Sequence, residues 1–286
     1  MNRDEIAKFR LRIDEAARTG ASGPAIGMVR DMEIAGRRHD IPCRLYVPAA
    51  QIGATAPVLI WFHGGGYVAG SLDSTDATCR ALADRAQIAV LSVGYRLAPE
   101  CPYPGATEDA IDVVRWVLRH GAEIDVDPDC TAVGGASAGG GLAAGVAQAL
   151  RDEVALRCQL LVYPLLDCAL ENAFATEAES VLAKEQLSEW IGLYLRGADP
   201  TQPLASPGRG DVQGAPTALV VCGTRDPLRD DVRSYVRDLR GAATRVHHWE
   251  AEGSDHGFFK PGNTEVEVII AEVADYLADE LRETPR

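Results

Sequence analysis

The chain lacks the long apolar run that a membrane-spanning helix needs, and it lacks any dense run of lysine or arginine. Its 286 residues carry a formal net charge of −14 at pH 7. An acidic protein is repelled by phosphate backbones and by anionic lipids, so neither nucleic acid nor a membrane is expected as a partner. The N-terminal residues 1–5 lack the apolar core of a secretory signal, and we therefore predict a cytoplasmic location.

Cysteine pairs with metal-binding or redox spacing are also missing. The seven cysteines are odd in number and scattered, with no C-x-x-C pair and no zinc-ligand spacing to histidine. Most lie inside apolar segments, which is typical of buried thiols in a reducing compartment. We predict that the protein needs neither a metal nor another cofactor.

What the sequence does contain is a regular alternation of strand and helix patterns. Continuous apolar runs separated by amphipathic stretches indicate a mostly parallel sheet covered on both faces. We predict about eight strands, with helices on both faces, in a single α/β domain of residues 1–286. The strand patterns lie at 29–34, 43–47, 58–62, 88–93, 131–134, 158–162, 218–222 and 245–249, and the helical patterns at 3–18, 75–85, 107–120, 140–150, 184–195, 230–239 and 265–281.

Two segments stand outside this alternation. Residues 167–210 show no strand pattern but hold the helical pattern 184–195, whose apolar face includes Trp190. Because this stretch is inserted between two sheet strands, we expect it to form a small helical lid. Ordinary core packing would give the helix 184–195 the same pattern. The N-terminal residues 1–26, with one amphipathic helix, are expected to be a second lid element.

The segment Gly135-Ala136-Ser137-Ala138-Gly139 lies between a strand pattern and a helix pattern. A serine with glycine two residues to each side is the sequence form of a nucleophile elbow, a turn too tight for side chains at 135 and 139. A plain glycine-rich turn has the same composition. A dinucleotide-binding loop is disfavoured, because most of the sheet precedes this turn and the next strand ends in Tyr163-Pro164 rather than in an acid.

A serine nucleophile needs a histidine base near it, and in elbow-type hydrolases the acid and then the histidine follow the serine along the chain. Three histidines follow Ser137 at the required distance. His247 and His248 fall inside a strand pattern, whereas His256 lies in the loop after it, where such sheets hold their sites. We therefore predict that His256 is the base.

The acid is chosen among four carboxylates. Asp226 follows the strand pattern 218–222 by four residues, as the triad order requires. Asp230 and Asp231 begin the next helix, where N-terminal caps and dipole partners are expected. Asp255 adjoins His256 in sequence, and neighbours in a loop rarely face each other. We predict Asp226, with Asp230 or Asp231 next if Asp226 fails.

The run His63-Gly64-Gly65-Gly66-Tyr67 follows the third strand pattern. Bare backbone N–H groups at this place in a hydrolase sheet complete the oxyanion hole. With the elbow, the acid and the histidine in order, this run makes an accidental arrangement unlikely and indicates acyl transfer.

These motifs resemble the hormone-sensitive-lipase-like branch of the α/β-hydrolases, which are serine carboxylesterases. The resemblance spans about residues 40–280 and rests on the segments 63–67, 95–100, 102–104, 135–140, 226–231 and 255–258. It implies that Ser137 is the nucleophile, His256 the base and Asp226 the orienting acid, and that Gly65, Gly66 and Ala138 donate to the oxyanion. It also implies an acyl pocket near the apolar residues Tyr67, Tyr163, Trp190, Leu228 and Phe258.

Two features depart from the family pattern. Ala136 stands before the nucleophile where the family most often has aspartate or threonine, so a polar support of the elbow is missing. The N-terminal region holds about one helix where many relatives have two, which implies a more open acyl site.

The leading hypothesis is a carboxylesterase for small, soluble esters with short acyl chains, acting without metal or cofactor. The same three side chains would hydrolyse a lactone or an acyl amide, or transfer the acyl group to another alcohol. A ligand-binding receptor on the hydrolase scaffold is the alternative from another class, disfavoured because serine, acid and histidine are all present. The last strand pattern, 245–249, is compatible with an edge strand that pairs with a second copy in a homodimer, and equally with an edge strand that has no partner.

Overall fold

The computed structural model describes residues 1–20, 22–174 and 180–282. Positions 21, 175–179 and 283–286 lie outside the described residues, so part of the predicted lid insertion 167–210 and of the predicted domain 1–286 does too. Within the described ranges, no helix has the length and apolar character needed to cross a bilayer.

Eight strands form one sheet in the order β1-β2-β4-β3-β5-β6-β7-β8. The pairs β1·β2 and β2·β4 are antiparallel and all the other pairs are parallel, which confirms the predicted fold class. The strands are β1 Met28–Ala35, β2 Asp40–Val47, β3 Ala56–Phe62, β4 Ala89–Val93, β5 Val126–Ala136, β6 Cys158–Val162, β7 Thr217–Gly223 and β8 Val246–Ala251.

Helices cover both faces of this sheet, as predicted. The α-helices are α1 Arg3–Thr19, α2 Asp76–Ala86, α3 Gly105–His120, α4 Ala138–Leu150, α5 Lys184–Leu195, α6 Arg229–Gly241 and α7 Thr264–Arg282. One buried cluster joins α3, α4 and α6 to one sheet face, and a second joins α2 and α7 to the other. Side chains alternate across the central strand β3, where Ile60 belongs to the first cluster and Trp61 to the second.

Two local expectations differ from the structure. Strand β5 begins at Val126, earlier than the pattern 131–134 indicates, because Val126 pairs with Ala56 of β3 before a shift in register. The residues between Val126 and Thr131 include two aspartates, so they do not show an apolar strand pattern. Helix α6 starts after Leu228 without a side-chain cap, so Asp230 and Asp231 lie in its first turn and do not cap it.

The carboxyl ends of β3, β5, β7 and β8 lie at the same edge because these strands run parallel. The loops that follow them therefore meet above the sheet. Helices α1 and α5 lie against this region, where Arg10 of α1 donates from Nε to the Val68 carbonyl at 2.8 Å. The ring of Phe9 stacks on Trp190 of α5 at 4.9 Å between centroids.

Candidate active site

The turn between β5 and α4 has the strained backbone of a nucleophile elbow. Ser137 has φ +56° and ψ −119°, a conformation that non-glycine residues rarely adopt. A Cβ at Gly135 would lie 2.4 Å from the Gly139 carbonyl group, and a Cβ at Gly139 would lie 2.0 Å from the Phe62 oxygen. Both glycines are therefore required by close backbone contacts, and the tight turn holds Ser137 at the edge of the sheet.

His256 lies between the serine and a carboxylate. Its Nε2 is 2.9 Å from Ser137 Oγ, and its Nδ1 is 2.9 Å from Oδ2 of Asp226. Asp226 is 1% exposed, and its other oxygen accepts the Leu228 N–H at 2.8 Å. A carboxylate fixed in this way accepts the Nδ1 proton, which leaves the Nε2 lone pair directed at the serine hydroxyl.

The alternative residues lie elsewhere. His247 packs on Tyr276 with 4.2 Å between ring centroids. Asp230 contacts Arg229 and Arg233. Among the four candidate acids, the structure thus brings Asp226 to the ring of His256.

The glycine run after β3 borders the serine. A Cβ at Gly64 would be 3.4 Å from that of Ser137. Gly65 and Gly66 have φ +127° and +62°, and a Cβ on Gly65 would lie 2.2 Å from the Ala69 oxygen. Ala138 is the first residue of α4, so its N–H has no partner within the helix. The glycine run thus approaches Ser137 at Gly64, and Ala138 follows Ser137 directly at the start of α4.

The start of this glycine run is fixed by contacts between His63 and Tyr95. The Tyr95 hydroxyl donates to the His63 carbonyl at 2.7 Å, and the two rings stack at 4.2 Å between centroids. Burial lowers the pKa of His63 to about 4, so the ring is neutral near pH 7 and its Nδ1–H donates to the Gly64 carbonyl at 2.8 Å. Tyr95 belongs to the segment 95–100 on which the family resemblance rests, but the sequence did not indicate that its hydroxyl bonds the glycine run.

The five predicted pocket residues lie in three places. The ring centroid of Tyr163 lies 4.8 Å from that of His256 and 5.6 Å from that of Phe258, so these two aromatic residues lie on the histidine side. Trp190 covers Gly66, where an added Cβ would be 2.5 Å from the indole Cε3. Tyr67 and Leu228 are buried in the first core cluster, and Tyr67 stacks on Tyr194 at 3.8 Å.

An open cavity of about 770 Å³ lies beside the Phe9–Trp190 stack. Helix α1, residue Gln186 of α5 and the residues Lys260 and Pro261 line it. Ser137, Asp226 and His256 do not line this cavity.

A cysteine, a histidine and a glutamate come together near β8, away from the serine. In the described part of the chain, ligand atoms of Cys222, His248 and Glu250 lie within 4.8 Å of one another. Arg233 bonds both carboxylate oxygens of Glu250 at 2.6 Å, and burial raises the pKa of the Cys222 thiol to about 12. The carboxylate is therefore already paired with an arginine and the thiol is protonated, which is typical of an ion pair beside a neutral thiol and not of a set of metal ligands.

Comparisons with known proteins point to one family. The sequence profile described as alpha/beta hydrolase fold matches residues 59–260. Esterase LipI of Mycobacterium tuberculosis is 40% identical over 265 residues, covering 89% of this chain and 82% of the relative. Ethyl acetate hydrolase of Pseudomonas putida is 34% identical over 270 residues, covering 88% and 85%.

A solved structure is similar over almost the whole chain. EstE1, a thermostable carboxylesterase cloned from a metagenomic library, has a TM-score of 0.89 at 33% identity, covering 97% of this chain and 98% of its own. Fold and sequence together define an α/β-hydrolase. The chain belongs to this family, in its hormone-sensitive-lipase-like branch, as the motifs predicted.

Proposed function

We propose that this protein is a carboxylesterase that hydrolyses small, short-acyl esters through an acyl-enzyme on Ser137. The observation that carries the proposal is the continuous hydrogen-bonded series from Ser137 Oγ through the His256 ring to Asp226, with 2.9 Å at each step. Relatives named as an esterase and an ethyl acetate hydrolase support the same reaction class.

In the first half-reaction, Ser137 Oγ attacks the ester carbonyl while Nε2 of His256 takes the hydroxyl proton. The charge that develops on the carbonyl oxygen is stabilised by the N–H groups of Gly65, Gly66 and Ala138. Asp226, already accepting the Nδ1 proton, stabilises the imidazolium. The tetrahedral intermediate then expels the alcohol, which leaves with the proton from Nε2.

In the second half-reaction, a water molecule gives a proton to Nε2 of His256 and attacks the acyl carbon. The same N–H donors stabilise the second oxyanion. Collapse of this intermediate returns the proton to Ser137 Oγ and releases the carboxylic acid. Every proton transferred passes through one imidazole nitrogen, so no metal or organic cofactor is needed for the cycle.

Short acyl groups are proposed because aromatic rings approach the reacting centre from two sides. Tyr163 packs on His256, and the indole of Trp190 lies over Gly66. We propose that residues 1–26 and 167–210 act as lid elements over this centre. The contact of Phe9 with Trp190, which joins the two segments, supports that proposal.

We also propose an oligomeric state and a cellular location. A homodimer would use β8, since this strand is at one edge of the sheet. A cytoplasmic location suits the cysteines, five of which are buried free thiols.

Hydrolysis of p-nitrophenyl acetate, butyrate, octanoate and palmitate by the wild type and by Ser137→Ala tests the function. We expect turnover that is highest for the two short chains and is lost in the variant, while Ser234→Ala on α6 behaves like the wild type. A maximum at palmitate would contradict the short-acyl assignment. Equal rates for wild type and Ser137→Ala would refute the catalytic role of Ser137.

The alternatives are separated by the same preparation. Lactone and acyl-amide substrates assayed beside the esters show which carbonyl the site prefers, and added alcohols reveal acyl transfer by the formation of new esters. Saturable ester binding without turnover of any activated ester would identify a receptor instead.

A further inference from the structure

The carboxylate of Asp255, the residue before His256, accepts hydrogen bonds from two separate segments of the chain. Its Oδ1 accepts the N–H of His256 at 2.7 Å and the hydroxyl of Ser180 at 2.6 Å. Its Oδ2 accepts the N–H of Val181 at 3.0 Å. One side chain thus connects the loop that carries His256 to a segment 74 residues earlier in the sequence.

The role of this carboxylate differs from that of Asp226. Asp226 bonds the ring of His256, whereas Asp255 bonds its backbone N–H. Burial raises the pKa of Asp255, but the bonds from Ser180, Val181 and His256 outweigh it and lower the pKa below the usual value. Asp255 is therefore charged near pH 7, when each of its three bonds is charge-assisted.

The segment bonded by Asp255 leads directly into α5. Ser180 Oγ also accepts the N–H of Leu182 at 3.1 Å, so the hydroxyl joins Asp255 to the residues before the helix. Further along α5, Trp190 covers Gly66 of the proposed oxyanion loop. The loop of His256 is thus hydrogen-bonded to the stretch 180–195 through Asp255, and the glycine loop lies beside Trp190 of the same stretch.

We propose that Asp255 is a positioning residue, which sets the direction of the His256 ring by bonding its main chain to the segment before α5. The inference rests on the proposed function, because it concerns the geometry of that reaction. The His256 ring makes two 2.9 Å bonds at once, and a shift of its backbone by a fraction of an ångström would lengthen at least one of them.

Three variants form a graded series. Asp255→Ala removes all three bonds to this carboxylate, and Asp255→Asn keeps an oxygen for Ser180 and His256 but presents an N–H to Val181. Ser180→Ala removes one of the three bonds, together with the bond that Ser180 Oγ accepts from the Leu182 N–H. Asp199→Ala is the matched control, since Asp199 accepts the N–H and hydroxyl of Thr201 at 2.9 and 2.7 Å without contacting the catalytic loop.

The assay is kcat and KM for p-nitrophenyl butyrate, per active site titrated to completion with an organophosphonate. We expect kcat to fall about 100-fold in Asp255→Ala, roughly tenfold in Asp255→Asn and about threefold in Ser180→Ala, with KM nearly unchanged. A purely structural role would reduce the number of titrated sites and leave kcat per site unchanged. Asp199→Ala is expected within twofold of the wild type.

A second readout does not depend on turnover. The backbone amide proton of His256, bonded to a carboxylate, is expected downfield in the wild-type NMR spectrum and upfield in Asp255→Ala. An unchanged resonance, or a kcat per site within twofold of the wild type in Asp255→Ala, would overturn the inference. Wild type that fails to hydrolyse any ester, yet shows the expected resonance shift, would refute the proposed function and leave the positioning bond supported.

Discussion

Replacing Gly66 with alanine adds one methyl group between the proposed oxyanion loop and α5. The added Cβ would lie 2.5 Å from Cε3 and 3.0 Å from Cδ2 of Trp190. Carbon atoms in contact are normally about 3.5–4.0 Å apart, so the indole or the loop must move by about 1 Å. The indole is buried and stacked on Phe9, which limits its retreat.

Two costs add in this variant. Alanine at φ +62° costs about 1–2 kcal/mol relative to glycine, and overpacking a buried ring costs about 1–3 kcal/mol. We therefore expect the free energy of unfolding to fall by about 2–5 kcal/mol. Because the loop carries the proposed donors, we also expect kcat to fall by about 10²–10³-fold, as when one oxyanion donor is lost.

Gly214→Ala separates the two costs. Gly214 has φ +71°, and a Cβ there would meet nothing within 4 Å, so only the backbone cost of about 1–2 kcal/mol is expected. Urea unfolding gives the free energies, and p-nitrophenyl butyrate gives kcat. In the Trp190→Leu background, Gly66→Ala should lower the free energy of unfolding by about 1–3 kcal/mol less than it does in the wild type. This difference is the part of the cost that is due to the clash with the indole.

A Gly66→Ala enzyme with kcat within twofold of the wild type would refute the assignment of this loop to the oxyanion hole. A loss of stability no larger than that of Gly214→Ala would show that the indole gives way easily. In that event, the Trp190 indole would also not restrict the site to short acyl groups.

Three other predictions follow from the geometry. Asp226→Asn should keep the fold and lower kcat by about 10⁴-fold, because an amide stabilises the wrong tautomer of His256; a loss below tenfold, with an unchanged circular dichroism spectrum, would contradict this. Burial raises the pKa of Asp231 to about 6, so ionisation destabilises the folded state as pH rises from about 4 to 6. Asp231→Asn should therefore raise the free energy of unfolding by about 3 kcal/mol at pH 8, measured by urea unfolding, and leave it unchanged below pH 4. Tyr95→Phe leaves the buried His63 carbonyl without its 2.7 Å donor and should cost about 1–3 kcal/mol in urea unfolding, whereas an unchanged midpoint would show that another donor replaces the hydroxyl.

Local chemistry explains why the sequence pointed to the serine, aspartate and histidine that the structure brings together. A tight turn requires glycine at 135 and 139, and the structure shows backbone atoms within 2.4 Å of either added Cβ. Parallel strands place their carboxyl ends at one edge, which brings the loops holding Asp226 and His256 together once their order along the chain is known. Both inferences depend on short motifs and on strand order.

The supports of the site could not be predicted in the same way. Arg10 reaches the Val68 carbonyl across 58 residues, and Asp255 reaches Val181 across 74. An arginine on an amphipathic helix and an aspartate in a loop are usually solvated, and nothing in their sequence neighbours indicates a partner. Such bonds depend on how α1 and the segment before α5 pack on the sheet, which periodicity does not determine.

The position of α5 has a consequence for changes in substrate range. Trp190 closes one side of the proposed acyl site, so its removal would enlarge the space available to an acyl chain. The same indole holds Gly66 in place, and the residues before α5 hold His256 through Asp255. Widening the site at Trp190 is therefore expected to lower kcat even for small esters, since the wall of the pocket and the alignment of the reacting groups depend on the same helix.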